Sequence, residues 1–179
     1  MNWLRNLVGK REAAPKYEVA DDSGFLAIID PDAYAGFVQA DWTFQILQEH
    51  FKREMQNRHL LIWGTGLEHI WHIAVSLEPT TGTGFREVIG SIDCSKGRLL
   101  LTSYESLTMA AQFADTRLPR SHEEDRVIQV PPGLYDCRVI QLSDPDSSRP
   151  FKEHTNFVYE IISTSTQRKA WNDIPWHPA

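Results

Sequence analysis

The spacing of apolar and polar positions divides the chain into readable runs. Phe25 to Ile29 is continuously apolar and closes on Asp30-Pro31-Asp32, the pattern of a buried strand ended by a turn. From Trp42 to Gln56 the period changes. Phe44, Leu47, Phe51 and Met55 recur at spacings of 3, 4 and 4, which predicts a helix with those residues on one face, Trp42 and Ile46 on the other, and Asp41 as N-cap. Strand-like runs follow at His59 to Trp63, Glu68 to Leu77, Phe85 to Cys94 and Arg98 to Thr102. They are separated by Gly64-Thr65-Gly66, the loop Pro79 to Gly84, and Ser95-Lys96-Gly97. Short glycine-containing turns between successive strands predict an antiparallel meander.

Tyr104 to Phe113 has the pattern of a short helix, and Asp115 to Arg126 reads as a polar loop. Val127 to Val130 and Leu134 to Ile140 are two β-like runs meeting at Pro131-Pro132-Gly133, the expected bend of a hairpin. A loop rich in Asp, Ser and Pro runs from Leu142 to Phe151, and Asn156 to Thr164 forms the last strand. These elements predict a mainly β fold, an antiparallel β-sandwich of about eight strands with one main α-helix. Trp3, Leu4, Leu7 and Val8 share one side of a short N-terminal helix, followed by a polar connection from Lys16 to Gly24. The expected organisation is an N-terminal segment and linker over residues 1–24, the sandwich over 25–165, and a Trp- and Pro-rich tail over 166–179. Within Glu68 to Leu77, Trp71, Ile73, Val75 and Leu77 alternate with His72, Ala74 and Ser76. The first set is therefore expected to face a core shared with Val88, Ile92, Tyr135 and Val139.

A chain of 179 residues with 41% apolar and 23% charged residues fits one ordinary globular domain with appendages. No apolar run approaches the ~20 residues needed to span a bilayer. Met1 to Arg11 lacks the apolar core and cleavage site of a secretory signal, and Cys94 and Cys137 form no CxxC pair. A cytoplasmic location with two free thiols is the expectation. Charge is uneven: residues 1–16 carry +3, leaving −9 on the rest of a chain whose total is −6. So acidic a body argues against direct nucleic-acid binding and suits a basic protein partner.

Catalytic patterns are weak. Glu68-His69-Ile70-Trp71-His72 superficially resembles a metal or general-base cluster, but His69 and His72 share a face only on a helix, and the alternation here is that of a strand. Cys94 is in phase with Val88 and Ile92, and Cys137 with Tyr135 and Val139, so both thiols are expected to be buried and inert. Thr81-Gly82-Thr83-Gly84 lacks the Lys-Ser/Thr of a phosphate loop, and no GxSxG occurs. No cofactor and no catalytic residue is expected. The reading from another class is a ligand-binding or enzymatic sandwich that uses His69, His72 and Glu68 around a pocket.

The order of elements carries a resemblance. A buried first strand, the segment Asp41-Trp42-Thr43, two long strands, a strand-turn-strand pair around Lys96-Gly97, and the turn Pro132-Gly133-Leu134-Tyr135 leading into the final strands resemble the bacterial competence protein J family. The similarity runs from Phe25 to Ser163. The chain adds a basic N-terminal segment, an extended loop at Ser143 to Thr155 and the Trp-rich tail. The resemblance implies a small β-sandwich inhibitor of a DNA-entry nuclease, working by binding rather than catalysis, and it assigns no contact residues. An inhibitor or immunity-type protein needs an acidic and aromatic surface. The acidic candidates are Glu123, Glu124 and Asp125 in one loop and Asp144 and Asp146 in another, with Trp171 and Trp176 of the tail as aromatic anchors.

Overall fold

A computed structural model describes residues 15–147 and 155–177; the helix expected within the first ten residues lies outside them. The chain forms β1 (Lys16–Asp21), β2 (Phe25–Ile29), α1 (Phe44–Gln56), β3 (Leu60–Gly64), β4 (His69–Ser76), β5 (Arg86–Cys94) and β6 (Arg98–Ser103). It continues with α2 (Tyr104–Gln112), a 3-10 helix at Ser121–Arg126, β7 (Val127–Gln129), β8 (Gly133–Gln141) and β9 (Phe157–Ser163). The strands make two sheets, a five-stranded one in the order β1-β4-β9-β8-β5 and a four-stranded one in the order β3-β2-β6-β7. The fold is mainly β, a sandwich as expected. One pair departs from the antiparallel rule: β4 and β9 run parallel, with Ile73 opposite Phe157 and Val75 opposite Tyr159.

The expected meander does not form. The tight turns after β1, β3, β5 and β7 each carry the chain from one sheet to the other. Sequential strands that do pair, β2 with β3, β6 with β7 and β8 with β9, are joined by long connections instead. Pro131-Pro132-Gly133 is therefore a crossover and not a hairpin: β7 pairs with β6, and β8 pairs with β5 and β9. Neither proline has an N–H to donate to a ladder, so pairing stops there and the chain is free to change layers.

Between the sheets lies a core of Trp63, Trp71, Ile73, Val75, Ile92, Val139, Phe157 and Tyr159. Trp63 meets Tyr159, and Trp71 meets Phe157, edge to face at 5.1 Å between ring centres. Leu77, expected to join this core, lies just beyond β4 and is 53% exposed. The four-stranded sheet has a second apolar face, where Ala27, Ile29, Leu60, Ile62 and Leu100 pack with Leu47 and Phe51 of α1 and Leu107 of α2. Helix α1 begins later than expected. Thr43 caps it, its Oγ1 accepting from the Ile46 N–H at 3.3 Å, so Asp41 is no cap and Phe44, in the first turn, is 50% exposed.

Two appendages belong to the sandwich. Lys16–Asp21, expected as a polar connection, is edge strand β1, paired with β4 from Lys16 opposite Ala74 to Asp21 opposite His69. The tail lies along the opposite edge, at β3 and β5. Trp171 donates its indole N–H to the Ile89 carbonyl at 3.0 Å, and the Pro175 carbonyl accepts from the Gly64 N–H at 2.9 Å. A Cβ on Gly90 would stand 2.6 Å from Leu61 and 2.8 Å from the Trp171 ring, so only glycine admits the indole there. The tail covers edges that would otherwise offer unpaired backbone groups.

Candidate protein-binding surface

The end of the sandwich where β1 stops, β2 and β4 start and β3 runs out is organised by a buried carboxylate. Asp21 closes β1, and Gly24, with φ of +77°, lets the chain turn back into β2. The Asp21 side chain accepts from the Ser23 N–H (3.1 Å), the Phe25 N–H (3.0 Å), Thr65 Oγ1 (2.9 Å) and Trp71 Nε1 (3.1 Å). Burial pushes its carboxyl above the ordinary carboxylate value, against the opposing pull of those four donors. Two turns that each cross between the sheets are thereby locked together.

Arg86 extends this framework to the surface. Its Nε donates to Gln141 Oε1 at 2.7 Å, while Gln141 Nε2 donates to the Thr65 carbonyl at 2.9 Å, and Arg86 Nη2 reaches the Gly64 carbonyl at 3.3 Å. The guanidinium lies 4.5 Å from the centre of the Trp176 ring and 5.8 Å from that of Phe85. Burial pulls it below its ordinary value, while Asp144 and Asp146 favour its charged form. Pro145, between those two acids, crowds Gly66, where a Cβ would stand 2.6 Å from the proline ring. Beside this cluster is a depression of about 420 Å³ lined by Phe25, Gly66, Leu67, Glu68, Trp176 and His177. Asp146 is exposed and Asp144 half-buried beside the Arg86 guanidinium, and Glu68, exposed, lines the neighbouring depression. Phe25, half-buried and 4.9 Å from the His177 ring, and Phe85, 50% exposed, supply aromatic surface.

Of the residues singled out in the sequence, Asp144, Asp146 and Trp176 come together at this end. The others do not. Glu123, Glu124 and Asp125 form part of the 3-10 helix, which packs beside β6 and β1 at the other edge. Glu124 and Asp125 are exposed, but Glu123 is fully buried: it accepts from Thr102 Oγ1 at 2.6 Å and from the Arg120 N–H at 3.0 Å. That corrects its place among accessible acids; it is a structural cap. Trp171 is half-buried and already engaged within the molecule. Arg86, Phe25, Phe85 and Gln141 have no local signature, and the one hint in the chain is the pair of glycines at 64 and 66, which mark close backbone approach.

The arrangement offers little to catalysis. His69 packs edge to face on Trp71 at 5.0 Å on the inward side of β4, whereas His72 lies on the outward side, 3.7 Å from Glu18. Glu68 is exposed before the strand, so the three residues do not surround one pocket. Among the described residues no three His, Cys, Asp or Glu side chains are placed to hold a metal ion. Both cysteines are buried and free; burial raises both thiols, Cys137 up to about 12. No helix among the described residues is long and apolar enough to cross a membrane.

No protein-family model matches the chain, and no curated protein matches it in sequence. Among solved structures it resembles a protein described as crocagin biosynthetic gene J, with a TM-score of 0.54 at 14% identity over 84% of this chain and 96% of that one. It also resembles ComJ of Bacillus subtilis, described as an inhibitor of the DNA degrading activity of NucA, with a TM-score of 0.50 at 11% identity over 86% of this chain and 98% of that one. Identity this low speaks to the fold alone. The chain has a ComJ-like fold, as the resemblance in its sequence implies.

Proposed function

We propose that this chain is a non-enzymatic, cytoplasmic protein-binding module that neutralises a basic partner, a nuclease or toxin, by occluding it with the acidic and aromatic end of the sandwich. The observation that carries this reading is the convergence of Asp144, Asp146 and Trp176 on Arg86, beside Phe85 and Phe25 and on a base pinned by Asp21. A preformed surface loses little conformational entropy on binding, aromatic groups supply contact area, and acids steer a basic target. The ComJ-like fold supports the choice of a nuclease as the kind of partner.

The test is capture of DNA-degrading activity from the source cell on the immobilised protein, followed by titration of the eluted nuclease with soluble protein. Suppression at one-to-one stoichiometry is expected. Association should slow as ionic strength rises, and Asp144→Lys with Asp146→Lys should slow it by about tenfold or more. An acidic partner, or an association rate indifferent to both salt and the double reversal, would overturn the proposal.

A further inference from the structure

The opposite end of β2 carries a second, chemically different feature. Beyond Ile29 the chain passes through Asp30 and runs along the last turn of α2, where the Val38 and Gln39 N–H groups donate to the Ala111 carbonyl at 2.9 and 3.2 Å. Gly36 permits the approach, since a Cβ there would stand 3.0 Å from that of Ala110. Tyr34 is fixed from behind. His50 Nε2 meets its hydroxyl at 3.2 Å, His50 Nδ1 accepts from Arg53 Nη2 at 2.8 Å, and Glu54 Oε2 accepts from His59 Nδ1 at 3.0 Å and from the Ala35 N–H at 3.4 Å. Between these walls is a groove of about 310 Å³, lined by Tyr34, Phe37, Ala110, Ala114 and Leu118, with Arg117 also in its lining.

Two observations indicate what the groove accepts. Phe37, in the lining, is 49% exposed, and Phe113, next in sequence to Ala114, is 44% exposed. Arg117 is exposed and commits only Nη1, to the carbonyls of Ala114 (2.7 Å) and Thr116 (3.0 Å). Arg98, Arg138 and Arg168 each hold a carboxylate at 2.9 Å or less, but Arg117 has no ion-pair partner among the described residues. A planar guanidinium with open N–H groups, beside a groove whose lining includes the apolar side chains of Phe37, Ala110, Ala114 and Leu118, is complementary to a carboxylate attached to a large apolar group.

We propose that this groove binds a peptide segment of a second partner protein that presents a large apolar side chain beside a carboxylate, the side chain lying over Tyr34 and Ala110 and the carboxylate on Arg117. The site is separate from the acidic end and does not depend on the function proposed for it. The probe is N-acetyl-phenylalanine, with the neutral N-acetyl-phenylalaninamide as control, followed by amide NMR of the full chain. Shifts at Ala35, Gly36, Ala110 and Ala114 at millimolar probe are expected, with the acid binding about fivefold tighter than the amide, the discrimination an exposed ion pair can give. Arg117→Gln should equalise the two probes, and Ala114→Phe, an exposed position, should abolish both without unfolding the protein. Absence of shifts at those amides, or equal binding of acid and amide to the unaltered chain, overturns the proposal. So does far tighter binding of dodecanoate than of an Ac-Phe-Asp peptide, which would make the occupant a fatty acid.

Discussion

The two sheets solve different burial problems. The three long strands of the four-stranded sheet lie between the five-stranded sheet and the helical layer, and they read as unbroken apolar runs: Phe25–Ile29, Leu60–Gly64 and the Leu99-Leu100-Leu101 segment of β6. Consecutive residues serve different cores, Leu99 and Leu101 the inter-sheet layer and Leu100 the helix-facing layer. Among the described residues no helix packs on the outer face of the five-stranded sheet. Its strands alternate, most clearly β4, where Trp71, Ile73 and Val75 are buried and Ile70, His72 and Ala74 are more open. That outer face carries ion pairs instead: Arg138 reaches Glu87 at 2.5 Å and Glu160 at 2.9 Å, and Arg168 reaches Asp136 at 2.8 Å. One stretch is closed under the β4–β5 loop, where Thr80 donates to the buried Glu160 through both its N–H, at 3.0 Å, and its hydroxyl, and Ser91, bonded to Asp136 at 3.0 Å, is buried farther along β5. Apolar continuity follows from having two covered faces and alternation from having one.

The sharpest way to break this contrast is to place a charge at consecutive positions. Leu100→Asp and Leu101→Asp should each destabilise by more than about 4 kcal/mol, because both faces at β6 are sealed and the new carboxylate has no partner. In the five-stranded sheet the outcome should depend on parity. Val75→Asp should unfold the protein, whereas Ile162→Lys, half-buried on the outer face opposite Asp136, should change stability by less than about 1 kcal/mol. Chemical denaturation of the four variants checks this, and equal effects of Val75→Asp and Ile162→Lys would refute the open face.

A smaller effect is expected where the tail joins the sheets. Trp171→Ala should lower stability by about 2 kcal/mol, less than a fully buried tryptophan would, since the indole is half-exposed. Thermal unfolding within a degree of the parent would show that the tail rests on the edge without sealing it. Comparable or smaller losses are expected at the far edge. Glu123→Ala removes a cap and the partner of Thr102, at about 1–2 kcal/mol, while Glu124→Lys and Asp125→Lys leave the denaturation midpoint unchanged.

The smallest effect is one of pH and belongs to the helical layer. His50 is buried against Tyr34 and Arg53, and burial holds its imidazole below the ordinary value of 6.5, with Arg53 acting in the same direction and Glu54 against it. The unfolded chain therefore binds the proton more readily. Stability from this residue is full above pH 6.5 and is lost as pH falls from there through the folded-state value. Denaturation midpoints measured across that window should fall with acidification in the parent and fall less steeply in His50→Gln. Identical slopes would remove the assignment.

The sequence by itself determined β2 to β9 and the two α-helices as elements, and for β4 which face turns inward, because those are consequences of near-neighbour periodicity. It also placed Cys94 and Cys137 inside and His69 and His72 on opposite faces, for the same reason. It could not determine β1. Val19 follows the alternation, but the last inward position is Asp21, a carboxylate made tolerable only by Thr65 and Trp71 far along the chain. Nor could it separate a hairpin from a change of layer at Ser95-Lys96-Gly97 or Pro131-Pro132-Gly133, since the same turn residues serve both and the choice rests on which distant strand offers the better-buried partner. The candidate surface was half legible. Asp144, Asp146 and Trp176 stood out as acids and an aromatic, but nothing local showed that they would meet at Arg86, or that Glu123 would turn inward to Thr102. Those placements are made by packing between residues 21 to 90 positions apart, which only the tertiary structure brings into contact.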